Sequence, residues 1–154
     1  MTSIRLYPDP HLSRVSAPVS VFGHPVETLA MQLLEAMYLG GGRGFAAPQL
    51  AQETADARMF VMDAGWKEFG RQVPAVFVNP EIVWASKETA VMEEACLSIP
   101  DRARRVRRPS EIEVCWQSTD GSPQRAKFTG VEAVIIQHEL DHLDGILILD
   151  RPEA

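Results

Sequence analysis

The stretch "TGVEAVIIQHELDHLDG", residues 129–145, decides how this chain folds. Thr129 and Glu132 have the spacing of a capping box and predict a helix start; Gly145 predicts its stop. On a helical wheel Val131, Val134 and Ile135 share the face of His138 and His142, while Ile136, Leu140 and Leu143 lie opposite. A helix apolar on two sides is buried in a core. Both histidines are therefore expected to be presented from inside the fold. The chain holds only four histidines, and these two stand four apart with Glu139 after the first. A lone histidine is ordinarily a satisfied core or surface residue. A buried pair at this spacing needs partners for its ring nitrogens, and a divalent metal supplies them.

Upstream of that helix the pattern changes period. "PVETLAMQLLEAMYLGGG" predicts a helix, with Leu29, Leu33, Ala36 and Met37 as its apolar stripe, Pro25 in the first turn and Gly40–Gly42 as the stop. Residues 1–24 carry prolines at 8, 10 and 18 and read as an extended lead-in. "ARMFVMD", "PAVFVNPEIVWAS", "TAVMEEACLSIP" and "EIEVCWQS" read as strands, and "GS" at 121–122 as a hairpin turn into "QRAKFT". "ILILD" is expected to add a short last strand. The order helix, strands, helix predicts an α+β fold with mainly antiparallel strands.

The 154 residues suit a single domain, 1–154, and the 45% hydrophobic content suits a packed core. A formal net charge of −6 argues against a surface built for DNA or an acidic membrane. Two cysteines, Cys96 and Cys115, make no disulfide framework. The N-terminus has no basic start followed by an apolar run, and no stretch approaches the ~18 apolar residues of a membrane span. A cytoplasmic location is expected.

Two imidazoles do not complete a metal site. The twelve residues after His142 contain Asp144, Asp150 and Glu153 but no further histidine, so a third ligand is sought upstream. Cys96, at the end of a strand-like run, is the best candidate; taken alone it would read as a small buried hydrophobe.

The segments "GRGFAAPQ" (beginning at Gly42), "EACLS" and "QHELDH" stand in this order along the chain. They resemble the three motifs of peptide deformylases, G-φ-G-φ-A-A-x-Q, E-G-C-φ-S and Q-H-E-φ-D-H, and "YPDPHLS" and "VNPEI" are similar to that family as well. The resemblance runs from about residue 4 to 150. It implies antiparallel sheets wrapped around a central metal-binding helix. It implies one divalent metal held by Cys96, His138 and His142: ferrous iron first, with zinc or nickel also accepted by a thiolate and two imidazoles. The implied reaction is removal of the formyl group from N-formylmethionyl peptides, releasing formate. Glu139 would carry the proton from water to the departing amine. The Gln49 side chain and the Leu97 backbone N–H would hold the oxyanion.

The substrate wall is expected from Val131, Val134 and Ile135 on the helix, from Met92, and from Gly42, Arg43 and Gly44 in the first motif. Glu94 and Ala95 of the second motif belong to the same wall. Two positions depart from the family pattern. Arg43 replaces an apolar residue. Ala95 replaces a glycine, and its methyl is expected to intrude on the peptide path. A related amidase or peptidase of altered acyl specificity, or a metal-bound peptide-binding homologue without turnover, are the alternative readings. Asp141 points away from the metal face and is expected to pair with an arginine of the 102–108 segment. That segment, "RARRVRR", has five arginines in seven positions and reads as a solvated loop or edge strand, or as a transient ribosome contact.

Overall fold

The computed structural model describes residues 3–52 and 56–154; Met1 and Thr2 of the lead-in fall outside them. Helix α1 spans His24–Gly40, with Pro25 in its first turn. It ends where Gly41 takes a left-handed conformation, φ 72°, and its N–H reaches the Met37 and Tyr38 carbonyls. Strands β1 (Gly44–Ala46) and β2 (Met59–Met62) follow, then one helical turn, α2 (Trp66–Phe69). Next come β3 (Ala75–Ala85), β4 (Thr89–Cys96), β5 (Ile99–Pro109), β6 (Glu111–Gln117) and β7 (Pro123–Thr129). Helix α3 closes the sequence of main elements at Gly130–Leu143.

All the strand pairs are antiparallel. Five strands form one sheet in the order β1-β2-β3-β6-β7, and β4 and β5 form a separate ribbon. The chain leaves the large sheet after β3, builds the ribbon, and returns with β6 beside β3. Helix α3 lies between the two. Ala133, Ile136, Leu140 and Leu143 pack against Phe60, Phe77, Ile112 and Val114 of the large sheet. Burying side chains of this size favours the fold by roughly 1.5–3 kcal/mol each. The opposite side of α3 faces the ribbon, and the helix is buried from Ile136 to Leu143. This is the expected α+β arrangement of antiparallel sheets around a central helix. On the other side of the molecule, Val26, Ala30, Leu33, Ala36 and Met37 of α1 pack on Phe45, Met59, Val61 and Val78.

Four expectations about local structure need correction. Thr129 is the N-cap of α3, but its side chain makes no capping bond; Gly130, at φ 60°, starts the helix without one. "ILILD" is not a strand. Asp150 turns back to accept the Leu147 N–H at 2.8 Å, which closes a 3-10 turn over Ile148–Asp150 and buries Leu147 and Ile148 beside Leu12 and Ile99. The lead-in is not wholly extended. Asp9 accepts the His11 N–H at 2.9 Å and caps a 3-10 turn at Pro10–Ser13. "TAVMEEACLSIP" is split after Cys96; the arginine-rich segment is strand β5, the edge strand that is one of its two expected forms. Gly145, at φ 74°, lies just past the end of α3, and a Cβ there would stand 2.5 Å from the Ser13 carbonyl oxygen.

Candidate active site

Three donors converge where α3 meets the end of β4. His138 and His142 sit one turn apart with ring centroids separated by 5.0 Å. Cys96 Sγ lies 3.4 Å from His142 Nε2, and one donor atom from each of the three residues falls within 4.8 Å of the others. A register shift between Ala95 and Cys96 in the β4–β5 ribbon brings the thiol to this place.

The second nitrogen of His138 is already engaged: Nδ1 is 2.9 Å from Glu94 Oε1. Glu94, expected on the substrate wall, borders the cavity, but its carboxylate is turned to the helix. It accepts two hydrogen bonds from Arg108, Nε at 2.6 Å and Nη2 at 2.9 Å. Arg108 Nη1 donates to Asp141 at 3.0 Å, which fulfils the expected pairing of Asp141 with an arginine of β5. Arg151 donates to the same carboxylate at 2.6 and 3.0 Å. Two carboxylates and two guanidiniums, all but the half-exposed Arg151 buried, thus form a charge-balanced chain ending on a histidine ring. Burial alone would raise the Glu94 carboxyl, but the bonds from His138 and Arg108 hold it below its ordinary value.

The donors suit a cation. Burial opposes charge on His138, yet the neighbouring Glu139, Cys96 and Glu94 push its ring up to about 10. The negative surroundings that favour a proton there also favour a divalent ion. Burial, and then His138, push His142 well down, so its ring is neutral, as a metal ligand must be. With Glu94 fixing Nδ1, His138 turns Nε2 to the other donors, an arrangement common to metal-binding histidines.

Glu139 is 3% exposed and its Oε1 has no hydrogen-bond partner. Burial raises its carboxyl to about 7, with His138 opposing. Its Oε2 rests over Gly44, where a Cβ would come within 2.6 Å. Gln49 is also buried. Its Oε1 accepts the Ala46 N–H at 2.9 Å, which turns Nε2 towards Ser98 Oγ at 3.1 Å and Cys96 Sγ at 3.5 Å. Leu97 follows Cys96 and packs against Gly40 and Gly42; a Cβ on either glycine would stand 2.9 Å from Leu97 Cδ1.

A cavity of about 560 Å³ opens over these groups. Its lining includes Gly42, Arg43, Gly44 and Gln49 on one side, and Met92, Ala95, Cys96 and Leu97 on the other. Val131, Val134, Ile135, His138 and Glu139 of α3 form its floor. Ala95 is exposed and alternates with buried Glu94 and Cys96 along β4. Its methyl therefore stands on the outer face of the ribbon, beside the strand edge that a peptide would follow. Ala95 also lines the site cavity, as expected of a residue of the substrate wall.

The sequence did not announce Arg108 and Arg151 as the supports of the metal face, nor Ser98, Trp66, Lys67 and Glu68 near the cavity. Asp141 pointed to one arginine of β5. The others carry no pattern of spacing that would reveal them.

A buried thiol, two imidazoles and a buried carboxylate beside an open cavity are the equipment of a hydrolytic metal centre. The family model described as polypeptide deformylase matches residues 1–154. The chain is 42% identical over 143 residues to the peptide deformylase of Afipia carboxidovorans, covering 93% of this chain and 81% of that one. It is 41% identical over 145 residues to that of Rhizobium meliloti, covering 94% and 81%. The crystal structure of peptide deformylase from Thermotoga maritima superposes with a TM-score of 0.90 at 37% identity, covering 100% of this chain and 99% of that one. The chain belongs to the peptide deformylase family, hydrolases that remove N-formyl groups from nascent peptides.

Proposed function

We propose that Cys96, His138 and His142 hold one divalent metal, with Glu139 as the group that moves the proton during deformylation. The observation that carries this reading is the convergence of three donors within 4.8 Å beside a buried carboxylate whose Oε1 has no hydrogen-bond partner. Bound there, a divalent ion supplies Lewis acidity and makes water nucleophilic near neutral pH. We assign ferrous iron as the native ion, with zinc and nickel as substitutes that the same donors accept.

The chain's own residues do the rest. Glu139 takes a proton from the attacking water and gives it to the amine nitrogen as the formyl C–N bond breaks. Its raised carboxyl suits both halves of that transfer. Gln49 Nε2, locked by Ala46, and the Leu97 N–H are the donors we assign to the oxyanion on the formyl carbon. Val131, Val134, Ile135 and Met92 take the methionine side chain, while Gly42, Arg43 and Gly44 wall its path. The free edge of β4 binds the peptide as an added strand, alongside Ala95.

The whole chain acts as one domain, and we place it in the cytoplasm. Among the described residues no helix is long and apolar enough to cross a membrane. Ribosome contact through β5 would rest on Arg105 and Arg107, which are exposed. Arg108 is buried, Arg104 pairs with Glu153, and Arg102 lies over the Tyr7 ring.

Cys96→Ala tests the ligand set. It should lose the metal and, because metal binding is coupled to folding, melt at a lower temperature than the loaded parent. Full metal occupancy in this variant would assign the third ligand elsewhere.

A further inference from the structure

Arg43 stands where the family motif has an apolar residue, and the chemistry above gives its guanidinium no task. It borders two cavities at once. One is the site cavity of about 560 Å³; the other, of about 590 Å³, lies between the segment after β2 and the start of α3. Arg43 and Val131 are common to both linings. Both residues therefore stand where the two cavities adjoin.

That guanidinium is held in place from α2. Arg43 Nη2 donates to Glu68. Helix α2 is itself tied to the glycine loop, because Trp66 Nε1 donates to the Gly42 carbonyl at 2.9 Å. The Asp63 N–H donates to the Arg43 carbonyl at 2.8 Å, and the Tyr38 and Trp66 rings meet edge to face with centroids 5.2 Å apart. Loop and helix therefore fix both ends of the ion pair. Behind it the second cavity offers apolar surface from Ala64, Phe69 and Val73.

We infer that the Arg43–Glu68 pair is a specificity partition: it ends the pocket for the first side chain of the peptide and keeps longer side chains out of the second cavity. Arg43 is the specificity-determining residue, and Glu68 is a positioning residue that acts through it. An apolar residue at 43 would have no carboxylate to hold it across the opening. The inference rests on the deformylase reading for the identity of the substrate, but the partition is a property of the walls and can be read by binding alone. The side chains of Arg43 and Glu68 are 37% and 50% exposed, so the pair adds little to stability and its removal should leave the fold intact.

The test compares metal-loaded wild type, Arg43→Ala and Glu68→Gln, with circular dichroism confirming that each is folded. Formate release is measured on formyl tripeptides whose first residue carries a butyl or an octyl side chain. Affinity is measured for two peptide hydroxamates with the same side chains, which bind through the metal without turnover. Wild type should prefer the butyl ligand in both assays. Each methylene that reaches apolar surface gains about fourfold, so Arg43→Ala should shift the octyl-to-butyl ratio by roughly tenfold or more. The shift should appear in KM and Kd rather than in kcat, and Glu68→Gln should follow in the same direction by a smaller factor. Unchanged ratios in Arg43→Ala, or a wild type that takes both lengths equally, would overturn the partition. If wild type releases no formate while the hydroxamate ratio shifts, the deformylase reading fails and the partition stands. If formate is released and neither ratio moves, the partition alone fails.

Discussion

Ala95 and Gly44 show how much a single methyl depends on where it points. At position 95 the methyl stands on the outer face of β4, away from Glu94 and Cys96. Ala95 also lines the site cavity, so Ala95→Gly should raise kcat/KM on formyl-Met peptides at least several-fold with metal content unchanged; equal activity in the two proteins would show that the methyl is neutral. At position 44 the missing methyl matters. A Cβ would come within 2.6 Å of Glu139 Oε2 and 2.8 Å of Ile135 Cγ2. Gly44→Ala should push the carboxylate from its place and lower turnover by roughly tenfold to a hundredfold, since misplacement of about 1 Å is costly in this way. Metal content should be retained. Normal turnover in that variant would show that Glu139 has room to move without loss. The two positions look alike in the sequence, one glycine kept and one replaced. What separates them is strand alternation and an approach from α3, which only the folded chain displays.

Among the elements, α3 was the most legible. Its two apolar faces, its histidine spacing and its glycine stop are all local, and each falls within two or three turns of chain. The ribbon β4–β5 was legible as strands but not as a scaffold. The line from His138 through Glu94, Arg108 and Asp141 to Arg151 joins β4, β5, α3 and the chain beyond it. No periodicity links such distant residues, so the sequence shows Glu94 as part of the cavity wall but reveals neither its tie to His138 nor Arg151. The last turn, "ILILD", reads as a strand because its apolar residues alternate, and only the folded chain shows Asp150 turning back on Leu147. Arg108→Met tests the scaffold. It keeps much of the volume but leaves Glu94 and Asp141 buried without their shared cation. Stability should fall by roughly 3–5 kcal/mol. In whatever folded protein remains, metal affinity should drop ~10- to 100-fold because Glu94 no longer orients His138. Chemical denaturation and metal titration check the two parts separately. Unchanged metal affinity would mean that His138 is held by the helix alone.

At the scale of the molecule, two layers of different origin meet at one helix. The large sheet supplies the packing that buries α3, and the ribbon supplies the thiol and the edge for a peptide. The helix touches both, which is why its sequence announces the fold and the chemistry together. The measurement that tests this account most directly is made on protein loaded anaerobically with ferrous iron. Metal stoichiometry and formate release from a formyl-Met tripeptide are followed side by side in wild type and Glu139→Gln. The account predicts one metal per chain in both proteins, formate from the wild type, and turnover lower by ~10² or more in the variant. No formate from fully loaded wild type, or near-normal turnover in Glu139→Gln, would contradict it.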